Sequence, residues 1–241
     1  CNKIFYLWFF FLIFTFFILA LIFISRWDLI WVSITNNCPR CDLSGTNLSG
    51  YRLVNANLNG ADLRETYLYA AHLRGSGLDH AVLYGAGLHG ADLRDTSFAG
   101  ADLRLASFSA ADLRGARLDG ANFLYTEFRG ADMRDLNLAG QNLSKAVFVS
   151  LQRWKLKPLP TSLNNVDLRD ANLTDANFNG ANMEGANLSN ADFSGTSLIG
   201  TNLTRANLSH STISEKQLQQ ALLCGTTLPD LSISNQNCPE H

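Results

Sequence analysis

Four of the five cysteines stand in two pairs at opposite ends of a long repetitive region. Cys38 and Cys41 form a CPRC motif where this region begins, and Cys224 and Cys238 flank the segment that follows it. A CPRC motif can exchange thiols and disulfides at the start of a helix, but this one runs directly into five-residue repeats. The two pairs are too far apart to share one zinc ion. We expect two structural disulfides, Cys38 with Cys41 and Cys224 with Cys238, with free thiols as the alternative.

The other residues that could do chemistry form no recognisable active site. Carboxylates such as Asp62, Asp92 and Asp102 recur because a motif recurs, and there is no nucleophile elbow, P-loop or dinucleotide fingerprint. The five histidines show no metal-ligand spacing; they are His72, His80, His89, His210 and His241. The sequence therefore predicts a protein that is not an enzyme and that needs no cofactor, metal or small-molecule substrate.

The repeats extend from Cys41 to Glu215 in a single phase. With Leu43 as the first centre, 33 of the 35 pentapeptides have an apolar centre, and only Arg153 and Pro158 break the rule. The residue two before the centre is Ala in 19 of these repeats. Residues two apart share a face of an extended chain, so both point inward, while Asp, Asn, Arg and Ser point outward. Because five matches neither the helical nor the strand period, the chain must bend once in each repeat.

The motifs ADLRE, ANLNG, ADLRD, ADLRG, ANFNG and ANMEG resemble the A(D/N)LXX signature of the pentapeptide-repeat proteins. The resemblance covers about 175 of the 241 residues. It implies an all-β fold, a right-handed quadrilateral β-helix with four pentapeptides in each coil. The cysteine-flanked caps also resemble those of cyanobacterial and plastid-lumen members of that family.

Four repeats in each coil place residues twenty apart above one another. Phe108, Phe128 and Phe148 should then stack inside the solenoid, with Leu88 below them and, in an unbroken register, Leu168 above them.

The same spacing puts one row of arginines on the outside. This row is Arg74, Arg94, Arg114 and Arg134, and Asp92, Asp112 and Asp132 run beside it. The row is either a basic stripe for a phosphate-bearing partner or a ladder whose charges neutralise each other. We favour the ladder, because exposed ion pairs contribute little and each Asp accompanies an Arg.

A second group of candidate partner-binding residues interrupts the repeats at residues 151–160, LQRWKLKPLP. The segment occupies two whole repeats, and its prolines disfavour ladder pairing, so a loop is expected. Arg153, Trp154, Lys155 and Lys157 make it the most basic part of the chain. It is either a docking element or a neutral insertion, since loops on rigid scaffolds often carry binding residues.

The amino-terminal segment has the length and composition of a membrane anchor. Residues 4–24 carry no charge and would form a helix of about 31 Å, enough to cross a hydrocarbon core. A cleavable signal peptide is the competing interpretation. The sequence thus predicts a single-pass membrane protein, and the expected disulfides predict a periplasmic or thylakoid-lumenal solenoid.

The complete organisation predicted from the sequence has six parts. These are a transmembrane anchor (1–25), a linker and amino-terminal cap (26–40), a first repeat array (41–150), a loop (151–160), a second array (161–215) and a carboxy-terminal cap and tail (216–241). The cap should contain a short helix, because Ser214 and Gln217 have the spacing of a capping box.

These features predict a membrane-anchored scaffold that binds another protein outside the cytoplasm. The alternative is a regulator of a type II topoisomerase that mimics DNA, as some proteins with these repeats do. Such mimicry needs a strongly acidic rod, whereas the formal net charge here is only −2. Binding to nucleic acid is not favoured either, because the chain has no basic footprint.

Overall fold

The computed structural model describes residue 32, residues 34–149 and residues 159–238. Its helix and strands of two or more residues are α1 (Glu215–Leu218), β1 (Leu223–Thr227) and β2 (Ile233–Gln236). The rest of the described repeat region consists of turns joined by isolated parallel bridges.

The prediction of a single-pass membrane protein with a periplasmic or lumenal solenoid is corrected by this structure. Within the part of the chain that the structure describes, no helix has both the length and the apolar character of a membrane span. α1 has four residues, whereas a span needs about 20. The segment predicted as the anchor, residues 4–24, lies outside the described residues.

Parallel bridges between residues twenty apart confirm a β-helix with four pentapeptides in each coil. Asp42 pairs with Asp62, and Asp62 with Val82. The bonds alternate along each face: the Leu43 N–H donates to the Asp62 carbonyl, and the Asp62 N–H donates to the Cys41 carbonyl. Each side of the coil is only about three residues wide, so its pairing gives a bridge rather than a long strand. The predicted right-handedness stays a prediction.

We number the four faces of the coil by their first centres. Leu43 begins the first face, Leu48 the second, Leu53 the third and Leu58 the fourth. Each face ends in a turn that leads to the next.

Each turn has the backbone geometry of a type II turn. The N–H of Thr46 donates to the carbonyl of Leu43, three residues earlier. The second residue after each centre has a positive φ, as at Gly45 (φ 62°) and Leu105 (φ 58°). A positive φ at that position defines a type II turn and favours Gly or Asn. The frequent Gly and Asn at the fifth position of the repeat therefore follow from the turn.

The centres fill the core, and the small residues line its corners. Every described apolar centre from Leu43 to Leu208 is almost completely buried, as are alanines such as Ala61 and Ala81. Where Thr replaces Ala, its hydroxyl finds a fixed partner. The Thr96 hydroxyl donates to the Leu73 carbonyl 2.8 Å away, in the preceding coil. The buried hydroxyl is thus satisfied without widening the coil.

The predicted phenylalanine column exists, but the register shifts above it, so the condition on which Leu168 was expected there is not met. Phe108 stacks on Phe128 and Phe128 on Phe148, with ring centroids 5.3 and 5.0 Å apart. The next ring is Phe178, 4.6 Å from Phe148, and not Leu168. Leu168 instead continues the fourth face, where the Leu138 N–H donates to the Asp167 carbonyl.

Leu168 does not join the phenylalanine column because the spacing of the parallel bridges changes where the repeats are interrupted. Asp132 pairs with Ser162, and Val147 with Asn177, so the spacing across this coil is thirty residues instead of twenty. Ten residues, or two whole repeats, are thus left out of the ladder. The phase of five is conserved, but every residue after the interruption moves by two faces relative to an unbroken count.

The carboxy-terminal cap closes the last coil. Ser214 and Gln217 form the predicted capping box, and Leu218 of α1 is buried. β1 continues the parallel ladder, because the Leu203 N–H donates to the Leu222 carbonyl and the Arg205 N–H to the Cys224 carbonyl. β2 pairs with β1 antiparallel, from Leu223 opposite Gln236 to Thr227 opposite Ile233. The hairpin therefore covers the open edge of the third face.

The register across the interruption can be tested by a double-mutant cycle. Replacing Phe148 and Phe178 by Leu, singly and together, should give a coupling free energy of about 0.5–1.5 kcal/mol, because the two rings stack directly. Chemical denaturation of the full chain measures it. Phe148→Leu combined with Leu168→Ala serves as the control and should be closer to additive. A larger coupling with Leu168 than with Phe178 would contradict the thirty-residue register.

Candidate protein-interaction surfaces

The predicted arginine row lies on the third face as an ordered ladder of ion pairs. The Arg94 guanidinium donates to both carboxylate oxygens of Asp92, at 2.7 and 2.6 Å, and its Nε lies 3.7 Å from Asp112. Arg114 binds Asp112 in the same way and lies 3.5 Å from Asp132. Arg134 completes the series on Asp132. Arg74 has His72 two residues before it instead of an Asp, and its Nε reaches Asp95 at 3.3 Å.

This arrangement neutralises the row. Acidic and basic groups alternate along the third face, so no unbalanced basic stripe faces solvent. One coil further, Arg134 is followed by Asn164, and the ladder ends. The geometry accordingly fits the neutral ladder better than a phosphate-binding stripe.

Arginine also shifts the titration of several aspartates that hold one arginine each. The hydrogen bond from Arg94 lowers the pKa of the Asp92 carboxyl below its ordinary value, and desolvation opposes this only in part. The hydrogen bonds from Arg64, Arg104 and Arg169 lower the pKa values of Asp62, Asp102 and Asp167 in the same way. The lowered pKa values keep these carboxylates ionised at neutral pH, where they accept the arginine hydrogen bonds. Among the described residues, no cluster of His, Cys, Asp and Glu has the arrangement of a metal site.

The second predicted group, Arg153, Trp154, Lys155 and Lys157, lies outside the described residues. The structure does show where the chain leaves the solenoid before this segment and where it rejoins the solenoid after it. The chain leaves the second face after Phe148 and joins the third face at Leu163. Between them, the Thr161 hydroxyl donates to the carbonyls of Phe128 (2.7 Å) and Val149 (3.0 Å). A docking role for the loop stays a prediction.

The four predicted cysteines are joined in pairs. Cys38 is bonded to Cys41 at the first coil, with Cα atoms 5.4 Å apart, and Cys38 is buried. Cys224 of β1 is bonded to Cys238, just beyond β2, with Cα atoms 4.9 Å apart. The second bond ties the end of the hairpin, after β2, back to β1.

A surface that sequence reasoning missed extends over parts of the first and second faces and the turn between them. Six of the ten exposed large apolar side chains of the described residues cluster there. We name these six residues the apolar corner: Tyr67, Tyr69, Tyr84, Leu105, Leu124 and Tyr125. Their exposed fractions range from 36% to 49%.

Polar groups border the apolar corner. The Arg104 guanidinium lies 5.5 Å from the ring centroid of Tyr84, and the Lys145 ammonium lies 5.5 Å from that of Tyr125. Large exposed apolar clusters with a polar rim are typical of interaction sites, and Tyr and Arg are frequent residues there.

The apolar corner had a signal in the sequence. All six residues occupy outward positions, where the repeat otherwise carries Asp, Asn, Arg, Ser or Gly. Tyr84 and Leu124 are forty residues apart and thus in one column, and Leu105 and Tyr125 are neighbours in the next. A search for exceptions to the motif at spacings of twenty would have found them.

Comparison with known proteins places the repeats in a family. A family model for pentapeptide repeats matches the chain in five overlapping or separate segments, which are 41–78, 61–100, 86–123, 161–190 and 186–225. No match was found among curated proteins.

Similar solved structures are also repeat proteins. HetL, a pentapeptide repeat protein involved in heterocyst differentiation regulation in Nostoc sp. strain PCC 7120, is 27% identical, with a TM-score of 0.38, over 82% of this chain and 91% of its own. Trypsin-treated QnrB1, a plasmid-mediated fluoroquinolone resistance protein, is 22% identical over 80% and 88%, with a TM-score of 0.34. A pentapeptide repeat protein of the Arabidopsis thaliana thylakoid lumen is 24% identical over 76% and 72%, with a TM-score of 0.14. These scores are too low for the partners of those proteins to bear on this chain.

The arginine-bound aspartates predict a defined response to acid. Their pKa is lower in the folded chain than in the unfolded one, so the unfolded chain binds more protons below about pH 4. Their stabilisation is complete above the unfolded pKa and is lost as the pH falls through the folded value. We expect the free energy of unfolding to decrease from about pH 4 downwards, and urea titrations at successive pH values measure this.

The matched variant replaces Asp62, Asp92, Asp102 and Asp167 by Asn. It should show a shallower decrease over the same pH range, because the four carboxylates no longer take up protons on unfolding. An unchanged slope in this variant would contradict the assignment.

The bond between Cys224 and Cys238 should stabilise the cap more than the bond at the other end. It closes a loop with a sequence separation of 14, which corresponds to about 3 kcal/mol in the loop-entropy model. The separation of 3 between Cys38 and Cys41 corresponds to about 2 kcal/mol. Thermal unfolding of the two double Cys→Ser variants, with Cys1→Ser as the control, tests this order. Equal melting temperatures for the variant without Cys224 and Cys238 and for the unmodified chain would contradict it.

Proposed function

The chain belongs to the pentapeptide-repeat family, and on that premise we propose that it is a non-enzymatic scaffold that binds a protein partner at its apolar corner. Repeat proteins of this kind generally bind protein partners, and nothing in the described residues points to catalysis. The observation that carries the proposal is the clustering of six of the ten exposed large apolar side chains of the described residues in the apolar corner.

The composition of the corner favours a protein partner. Exposed tyrosine and leucine lose contact with water when a partner covers them; because these side chains are already more than half buried, covering the rest contributes about 0.5–1.5 kcal/mol each. Tyrosine in particular adds apolar area with little loss of side-chain freedom and keeps a hydroxyl for hydrogen bonding. The rigid coil beneath holds these side chains in place, which lowers the cost of ordering them on binding.

The second face is the natural floor for such a partner. Between Tyr67 and Glu127 the outward positions before its centres carry the small residues Gly87 and Ser107. Tyr67 and Tyr69 of the apolar corner lie on this face, so a partner that covers it would touch them.

The two predicted groups of basic residues have minor roles in the proposed binding of a partner. Arg153, Trp154, Lys155 and Lys157, which lie outside the described residues, are proposed as a second docking element. Arg74, Arg94, Arg114 and Arg134 lie on the third face with their charges balanced, so they contribute at most to the rim of an interface.

The alternative function, DNA mimicry towards a type II topoisomerase, requires rows of carboxylates without counter-charge. Here Asp62, Asp92, Asp102, Asp112 and Asp132 each hold an arginine at 2.5–2.7 Å. The balance of charges therefore supports the scaffold. Inhibition of gyrase supercoiling by the purified chain would support the alternative instead.

Site-specific photocrosslinking tests the proposal. A benzophenone amino acid at Tyr125 should give one discrete protein adduct in cells that make the chain, because the partner covers this position. The matched control carries the same group at Arg117, which is exposed at a similar height on the fourth face, opposite the second. The adduct should be absent there.

The partner identified by mass spectrometry is then purified and its affinity measured. Replacing Leu124 and Tyr125 by Ser should weaken binding by about thirtyfold or more, the loss expected of interface anchors, with no loss of folding because both side chains are exposed. Equal adducts at positions 117 and 125, or unchanged affinity of the double variant, would contradict the proposal.

A further inference from the structure

One part of the apolar corner is concave. Two glycines of one coil, Gly85 and Gly87, form its floor. Side chains of the preceding coil stand on one side and those of the following coil on the other, and together they enclose about 600 Å³. We name this concavity the glycine notch; its lining residues are Glu65, Tyr67, Tyr69, Gly85, Ala86, Gly87, His89, Leu105 and Ser107.

Gly87 is required by space and not by backbone conformation. Gly85 occupies the turn position and has a φ of +67°, whereas Gly87 stands at an outward position before a centre and has no positive φ. A Cβ on Gly87 would lie 2.5 Å from Cε1 of Tyr69 and 3.1 Å from its Cζ. The absent side chain therefore gives the Tyr69 ring room to lie across the coil.

The two tyrosines of the notch form a fixed aromatic wall. The ring centroids of Tyr67 and Tyr69 are 5.7 Å apart, and the rings meet edge to face at 64°. This is a favoured geometry for an aromatic pair, and it leaves ring faces turned towards solvent. The faces of phenol rings carry negative partial charge and attract cations.

Glu65 adds a full negative charge at the floor. Its Cγ lies 3.5 Å from the position of a Cβ on Gly85, so the side chain runs alongside that glycine. Among the described residues, none donates a hydrogen bond to the Glu65 carboxylate or forms an ion pair with it. The neighbouring Arg64 hydrogen-bonds Asp62 through its Nε at 2.8 Å and interacts with Glu65 only through its charge.

From this geometry we infer that the glycine notch binds a basic side chain, arginine in preference to lysine, presented by the partner protein. The inference rests on the proposed function and specifies the chemistry of the partner at one point. Charge complementarity decides the occupant: an apolar side chain would cover the Glu65 carboxylate without pairing it, whereas a guanidinium would satisfy it. Arginine is preferred because its planar group can stack on a tyrosine ring while it donates to the carboxylate.

The test uses the full chain labelled with 3-fluorotyrosine and observed by fluorine NMR. The chain has six tyrosines, and Tyr→Phe variants assign the resonances of Tyr67 and Tyr69. The probes are four acetylated, amidated pentapeptides, Gly-Gly-X-Gly-Gly, in which X is Arg, Lys, Leu or Glu. We expect the Arg peptide to shift the resonances of Tyr67 and Tyr69, the Lys peptide to bind more weakly, and the Leu and Glu peptides to cause no shift.

Two variants locate the effect. Glu65→Gln should weaken binding of the Arg peptide about two- to fivefold, the range for an exposed cation–π or ion-pair contact. Gly87→Ala should abolish the shifts, because its methyl group displaces the Tyr69 ring. Gly77→Ala is the matched control: Gly77 also has no positive φ, and its Cβ would meet only the flexible Asn59 side chain on the fourth face. It should bind the Arg peptide like the unmodified chain.

Binding of the Leu peptide at least as strong as that of the Arg peptide would overturn the inference, as would unchanged affinity in Glu65→Gln or the absence of any shift. If Gly87→Ala does not fold, the Glu65→Gln titration still decides. Failure of the notch is distinguishable from failure of the scaffold, since the photocrosslink at Tyr125 does not depend on Glu65. A crosslink at Tyr125 without peptide binding would contradict only the inference about the glycine notch. Peptide binding without a crosslink would contradict only the proposed scaffold function.

Discussion

Every other feature of this protein depends on the hydrogen-bond ladder between successive coils. The Leu63 N–H must meet the Val82 carbonyl, and the Asp62 N–H must meet the Cys41 carbonyl, at 2.8 Å each. Buried backbone groups that miss their partners are costly, so all coils must have the same length and shape. This requirement places a turn with a positive φ at every fifth residue, and it leaves room for only one large side chain per side. The core and the corners are consequences of the ladder.

The ladder also explains the manner in which the chain is interrupted. An insertion that stayed in the ladder and was not a multiple of five residues would turn centres outward and motif aspartates inward in all later coils. The ten residues left out after Phe148 keep every later centre in the core, as the stack of Phe148 on Phe178 shows. They still change which face each repeat occupies, and this is why columns after the interruption cannot be obtained by counting in twenties.

The sequence was informative wherever one residue type recurs. Centres such as Leu43 and Leu93 carried the period of five, which identified the fold, and Ser214 with Gln217 located the capping helix. The place of Leu168 stayed conditional because the sequence does not say whether two non-motif repeats stay in the ladder. The apolar corner was overlooked for a related reason: Tyr84 and Leu105 are deviations from the motif, and a count of agreements discards deviations. Gly87 was no more visible, since its role depends on a ring from another coil.

The closure beneath the loop has a consequence for the evolution and engineering of this chain. Thr161 binds the carbonyls of Phe128 and Val149, so the two ends of the excursion are fixed independently of what lies between them. The entropy of closing a loop grows only slowly with its length. The chain between Val149 and Thr161 can therefore be replaced by inserted segments of many lengths while the coils on either side stay in register.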